Sequence, residues 1–140
     1  MIRTPFLSVD GIVEIRQESG GTRIVLIERK NPPFGWALPG GFVDRGETVE
    51  TALKREMSEE ISLEVEVCRL LGIYSDPSRD SRFHTVTAVF VCRAEGRPVA
   101  ADDAKNVRTV PVDEALRMPL AFDHHRILGD YYKGKQCVTA

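Results

Sequence analysis

The chain has 140 residues, 42% of them hydrophobic and 29% charged, and its 19 basic and 21 acidic side chains leave a formal net charge of -2. That length supports one domain, residues 1–140, with a sizeable core, and the ordinary balance excludes a disordered or fibrous chain. No global positive field draws in nucleic acid, so an anionic substrate needs local help such as a metal. The start, MIRTPFLSVDGIVEI, lacks the apolar stretch of a signal peptide or membrane span. Cys68, Cys92 and Cys137 are odd in number and form no CxxC pair, which predicts reduced thiols and a cytoplasmic location.

In chain order, Leu7–Ile15 and Thr22–Glu28 are β-branched and apolar runs separated by Gly20-Gly21, the pattern of a hairpin. Lys30–Gly35, with Pro32-Pro33, is a loop, and Trp36–Gly41 ends in Pro39-Gly40-Gly41, where backbone can approach a ligand. Trp36 and Phe34 are expected to pack that turn rather than stack on a base. Thr48–Ile61 is the clearest helix, with Thr48 as N-cap, Glu50 in the first turn and no interior Gly or Pro. Leu63–Tyr74 reads as a strand interrupted near Gly72, Ser75–Arg82 as a polar loop, His84–Cys92 as a central strand and Val107–Val110 as a short one. His84 is expected to be a hydrogen-bonded structural histidine. A short helix over 112–117 and a last helix over 121–132, stopped by Gly134, complete the chain. Strands outnumber helices without regular alternation, so the fold class is α+β.

The segment 40–63, GGFVDRGETVETALKREMSEEISL, holds three glutamates at i, i+3 and i+4: Glu56, Glu59 and Glu60. At ~100° per residue, Glu56 and Glu60 are only ~40° apart around the helix axis, with Val49, Leu53, Met57 and Ile61 forming the neighbouring apolar stripe. Clustered acids against an apolar stripe repel one another and resist ionisation. A divalent cation removes that cost, and carboxylates with a backbone carbonyl are hard ligands suited to Mg²⁺ or Mn²⁺ rather than zinc. The alternative is an ordinary solvated charged face.

The same residues, Gly41, Glu47, Arg55, Glu56, Met57, Glu59, Glu60 and Leu63, resemble the Nudix box at every fixed spacing but one, Ser62 standing where the family has glycine. The resemblance implies a Nudix fold, a mixed sheet sandwiched between helices, and a divalent-metal-dependent pyrophosphohydrolase. It implies that Glu56 and Glu60 bind metal with the Gly40 carbonyl, that Glu59 binds metal or positions water, and that Arg55 and Glu47 pair to hold them. The stretches 74–87 and 120–125 further resemble the short ADP-ribose pyrophosphatase branch, implying ADP-ribose as substrate, cut to AMP and ribose 5-phosphate; homodimerisation is compatible with the resemblance.

Two arginines of the 75–82 loop, Arg79 and Arg82, are candidates to clamp phosphate, and Asp76 and Asp80 to contact substrate or act as general base. Asp102, Asp103 and the box glutamates remain alternative bases. Phe122 and Asp123 are candidates for the pocket edge, helix packing being the alternative. His124 and His125 are adjacent on a helix and cannot form a bidentate zinc pair. Two rival readings stand beside the first: a Nudix hydrolase of oxidised or other nucleoside triphosphates, and a domain that senses ADP-ribose without cutting it.

Overall fold

The computed structural model describes residues 1–139. Its elements are β1 (Phe6–Arg16), β2 (Thr22–Arg29), β3 (Trp36–Ala37), β4 (Gly40–Phe42), α1 (Val49–Ile61), β5 (Glu66–Tyr74), β6 (Thr85–Ala94), β7 (Ala104–Val110), α2 (Val112–Ala115) and α3 (His124–Thr139). The strands form one mixed sheet in the order β3-β2-β1-β6-β5, with β4 joined to β1 and β7 to β2. Only β1 and β6 run parallel; the other pairs are antiparallel.

Period-two alternation divides the strand side chains between two cores. Val9, Val13, Val25, Ile27, Ala88 and Phe90 pack with Leu53, Met57 and Ile61 of α1 on one face. Ile12, Ile24, Leu26, Val89 and Val91 pack with Ala115 of α2 and Ile127, Leu128 and Tyr131 of α3 on the other. Each fully buried aliphatic side chain contributes roughly 1.5–3 kcal/mol, so both helical layers are held by the sheet. This is the α/β/α sandwich expected of the resemblance.

The expected hairpin forms between β1 and β2, with Gly20 at φ +93. β1 pairs β2 only over Glu14–Arg16; nearer its start it pairs β4 instead, Asp10 opposite Gly40 and Val9 opposite Gly41. The sheet therefore splays, and the Pro39-Gly40-Gly41 turn enters the split. The register of β5 shifts between Leu70 and Gly72, at the interruption the sequence suggests. The last helix differs from expectation: it runs through Gly134 to Thr139. One interior glycine costs only about 1 kcal/mol, and burial of Ile127, Leu128 and Tyr131 anchors the preceding turns. Cys68 and Cys92 are unpaired, while Cys137 lies outside the residues whose side chains are described.

Candidate active site

The glutamates are delivered by α1. Thr48 caps its start, the hydroxyl accepting from the Thr51 amide at 3.1 Å. At its end Ser62 adopts the left-handed conformation, φ 60 and ψ 34, and the amides of Val99 and Ala101 donate to the Ile61 and Glu60 carbonyls. Ser62 thus makes the turn that the usual glycine makes, at a conformational cost of ~1 kcal/mol.

Glu60 is buried, 8% exposed, and accepts the Gly40 amide at 2.9 Å. Glu56 is half-buried and lies so tightly on Gly41 that a Cβ there would come within 2.3 Å of its carboxyl carbon. Glu59 has 49% of its side chain exposed. Arg55 braces the group. It forms a fork on Glu47 (2.8 and 2.9 Å), reaches Glu56 at 2.9 Å and Glu59 at 3.3 Å, and donates to the Phe42 carbonyl at 3.0 Å. Hydrogen bonds from Arg55, then from the Asp44 amide, hold Glu47 down at about 2, and the same fork raises Arg55.

Glu60 and Glu56 behave oppositely. Burial pushes Glu60 up to about 8, against the Gly40 hydrogen bond, and Glu56, Asp10 and Asp103 add like-charge repulsion. Burial also raises Glu56, partly offset by Arg55. Both stand in the second half of a helix whose last turn carries no basic residue, where the helix dipole disfavours negative charge. Hard oxygen donors crowded at one helix face, Glu60 buried and Glu56 half-buried, fit a magnesium or manganese ion. Among the described residues no three His, Cys, Asp or Glu side chains already converge in ligand geometry.

These acids form one wall of a cleft of about 430 Å³ that Asp10, Gly40, Gly41, Arg29, Arg79, Asp80, Arg82, Asp102, Asp103, Phe122 and His124 also line. Arg82 pairs with Asp80 through two contacts (3.0 and 2.9 Å) and lies over the rings of Phe83 and Phe122, 4.8 and 5.3 Å from their centroids. Burial alone would raise Asp80, but its bonds from Arg82 outweigh that and lower it. Arg29 lies over Phe122 from 4.8 Å, lowered by burial and then by Arg82.

Two expectations need correction in detail. Arg79 reaches the cleft wall, but its guanidinium is directed at protein acceptors: Asp123 through Nε and Nη2 (2.9 and 2.7 Å), and Thr85 and Thr87 through Nη1 (2.9 and 2.7 Å). With 4% of its side chain exposed, it braces the loop onto the sheet instead of presenting a free fork to phosphate. Asp76 folds back on Ser78 (2.8 and 2.6 Å) and faces a separate cleft with Tyr74, Arg126 and Asp130. A short acid in an Asx turn satisfies its neighbour before it can reach across the molecule. His84 does bond to the Ser75 carbonyl, at 2.9 Å.

Sequence reasoning missed Asp10, Arg29 and His124 as cleft residues. Asp10 did leave a signal, an acid in the middle of an apolar strand, which is rarely buried without a purpose.

Comparison with known proteins supplies the family. A family model described as the NUDIX domain matches residues 6–131. The chain belongs to the Nudix family. Among relatives of this Nudix protein, the ADP-ribose pyrophosphatase of Methanocaldococcus jannaschii is 45% identical over 134 residues, covering 94% of this chain and 75% of the relative. The NUDIX domain of Shewanella oneidensis NrtR, in complex with ADP-ribose, superposes with a TM-score of 0.81 at 26% identity over 94% of this chain and 89% of that one. A bifunctional NMN adenylyltransferase/ADP-ribose pyrophosphatase from Francisella tularensis, complexed with AMP and a manganese ion, gives 0.80 at 25% identity. The last comparison covers 95% of this chain but only 42% of the larger protein.

Proposed function

We propose that this Nudix hydrolase is an ADP-ribose pyrophosphatase, dependent on Mg²⁺ or Mn²⁺, that releases AMP and ribose 5-phosphate. The observation that carries the reading is the acid face of α1, with Glu60 buried, lining one cleft together with Arg82, Arg29 and Phe122. The 45% identity to the archaeal ADP-ribose pyrophosphatase supports the choice of substrate.

Glu56, Glu60, Glu59 and the Gly40 carbonyl would hold the metal, which when bound supplies positive charge to the diphosphate oxygens and the attacking water. Arg55 and Glu47 fix the carboxylates so that their geometry does not depend on the ion alone. Arg82 and Arg29 present positive charge to the diphosphate, and the Phe122 ring offers a flat apolar face between them. Water attacks one phosphorus, the bridging P–O bond breaks, and the two phosphate monoesters leave. Proton removal from the water falls to an acid of this wall, Glu59 or Glu60, or to Asp80, Asp102 or Asp103 on the facing loops, all of which line the cleft.

The reading includes a cytoplasmic location, supported by the unpaired Cys68 and Cys92, and homodimerisation, which sedimentation would check. No helix among the described residues is long and apolar enough to cross a membrane. Chromatographic product analysis with ADP-ribose, dinucleotides and deoxynucleoside triphosphates, each with either metal, tests the substrate. AMP and ribose 5-phosphate are expected from ADP-ribose. Turnover of triphosphates with none of ADP-ribose would overturn the assignment in favour of a triphosphate hydrolase, and tight ADP-ribose binding without products in favour of a sensor.

A further inference from the structure

The run Leu120–His124 ties cleft residues to the neighbouring strand β3. Its Ala121 amide donates to the Trp36 carbonyl at 2.8 Å, and the Trp36 amide donates to Pro119 at 3.0 Å. Phe122, at φ 56, turns its ring to Arg29 and Arg82, and Asp123 holds Arg79. His124, 3% exposed, closes the run from the first position of α3.

One side of the His124 ring is fixed by a hydrogen bond and the other faces Asp10. Nδ1 accepts the buried Leu38 amide at 3.0 Å, so the ring carries its proton on Nε2. Nε2 stands 3.3 Å from Asp10 Oδ2. The other Asp10 oxygen lies against Gly40, so close that a Cβ on that residue would meet it at 2.1 Å. The Gly40 amide in turn holds Glu60. Asp10 and Glu60 therefore flank one residue, and Gly40 has no side chain to separate them. Among the described residues no Arg or Lys pairs with Asp10; the side chain that faces it is His124. Carboxylate oxygens accept hydrogen bonds, and Asp10 is among the residues that line the cleft, where a donor from substrate or water can reach it.

We propose that Asp10 is a catalytic hydrogen-bond acceptor for the water that attacks the diphosphate, and that His124 is its positioning residue, aiming Asp10 across Gly40 while tying the Leu38–Gly40 turn to α3. This rests on the pyrophosphatase reading above. Asp10 orients the water's lone pair toward phosphorus; the imidazole keeps its proton and transfers nothing.

Three measurements test it. Long-range ¹H–¹⁵N correlation on the metal-free protein reads the His124 tautomer without any turnover: the Nε2-protonated form is expected, and the Nδ1-protonated form overturns the positioning role. Asp10→Asn is expected to lower kcat by about 10–100-fold with KM little changed. Full recovery of its kcat at excess manganese would make Asp10 a metal ligand and overturn the acceptor role, as would an unchanged kcat.

The third measurement separates aiming from folding. An asparagine amide mimics Nδ1 and keeps the bond to Leu38, whereas a glutamine amide mimics Nε2 and keeps the donor to Asp10. His124→Asn should hold its Tm and lose kcat about tenfold, with no further loss when combined with Asp10→Asn. His124→Gln should lower Tm and retain more kcat. The opposite ranking, or additive losses in the double variant, overturns the proposal. Wild-type protein inactive on ADP-ribose would instead count against the substrate assignment, leaving the tautomer measurement to judge His124, and the variants would then be read on whichever nucleotide is turned over.

Discussion

The two walls of the cleft are built on different principles. The acid wall comes from one stretch of α1, and its charge is left unbalanced: Arg55 serves Glu47 first, Glu60 is buried with a backbone amide, and like charges crowd it. The facing wall is gathered from β2, the 75–82 loop and the start of α3. There Arg79 is balanced by Asp123 and Arg82 shares its charge with Asp80, while the Arg29 guanidinium donates only to the Pro33 and Pro32 carbonyls among the described residues. Unbalanced charge marks where a ligand must complete the structure, and balanced charge marks where the protein is already complete.

The contrast is sharpest at Glu60. Glu60→Gln should cost about 1,000-fold in kcat on the preferred substrate, the scale of removing one electrostatic stabiliser from a closed site, measured with saturating Mg²⁺; near-normal turnover would place this acid outside the chemistry. Asp123→Ala attacks the balanced wall instead. It strands the buried Arg79, so stability should fall by roughly 3–5 kcal/mol, read from denaturant melts, and an unchanged melt would show the pair to be dispensable.

pH distinguishes the walls further. Burial holds Glu60 at about 8 in the folded protein, above the ordinary glutamate value of 4.5. Its contribution is therefore fully present below about 4.5 and is lost as pH rises through about 8. Metal-free protein should lose on the order of 5 kcal/mol across that window through this group. Added Mg²⁺ should restore stability at the alkaline end, and Glu60→Gln should flatten the profile. A metal-free profile that rises over the same range would contradict the burial of an uncompensated acid.

The smallest effect concerns the helix end. Ser62→Gly removes left-handed strain while giving up a 3.3 Å contact from the Ser62 hydroxyl to the Val99 carbonyl. A gain of about 0.5–1 kcal/mol is expected by thermal melting; a loss would mean that the hydroxyl matters more than the strain.

What could be read early follows from these same positions. Glu56, Glu59 and Glu60 were legible because an α-helix converts spacing along the chain directly into angle around an axis. Their burial followed from the apolar stripe beside them, and the N-cap at Thr48 from local chemistry alone. The loop residues resisted such reading. Arg79 and Arg82 are three positions apart in one polar loop, and nothing local says that one is bidentate to a residue 44 positions away while the other pairs two positions back.

The sequence by itself determined the family, the mixed strand-and-helix architecture and the acid face of α1, because periodicity, capping and fixed motif spacing act over a turn or two of chain. Only the tertiary structure decided that Asp10 meets His124 across 114 positions, that Asp76 turns away from the cleft, and that Arg79 is consumed by Asp123. Those outcomes depend on which β-strands become neighbours and where the sheet splays. Contacts of that kind are settled by packing of both faces at once, and no local pattern encodes them.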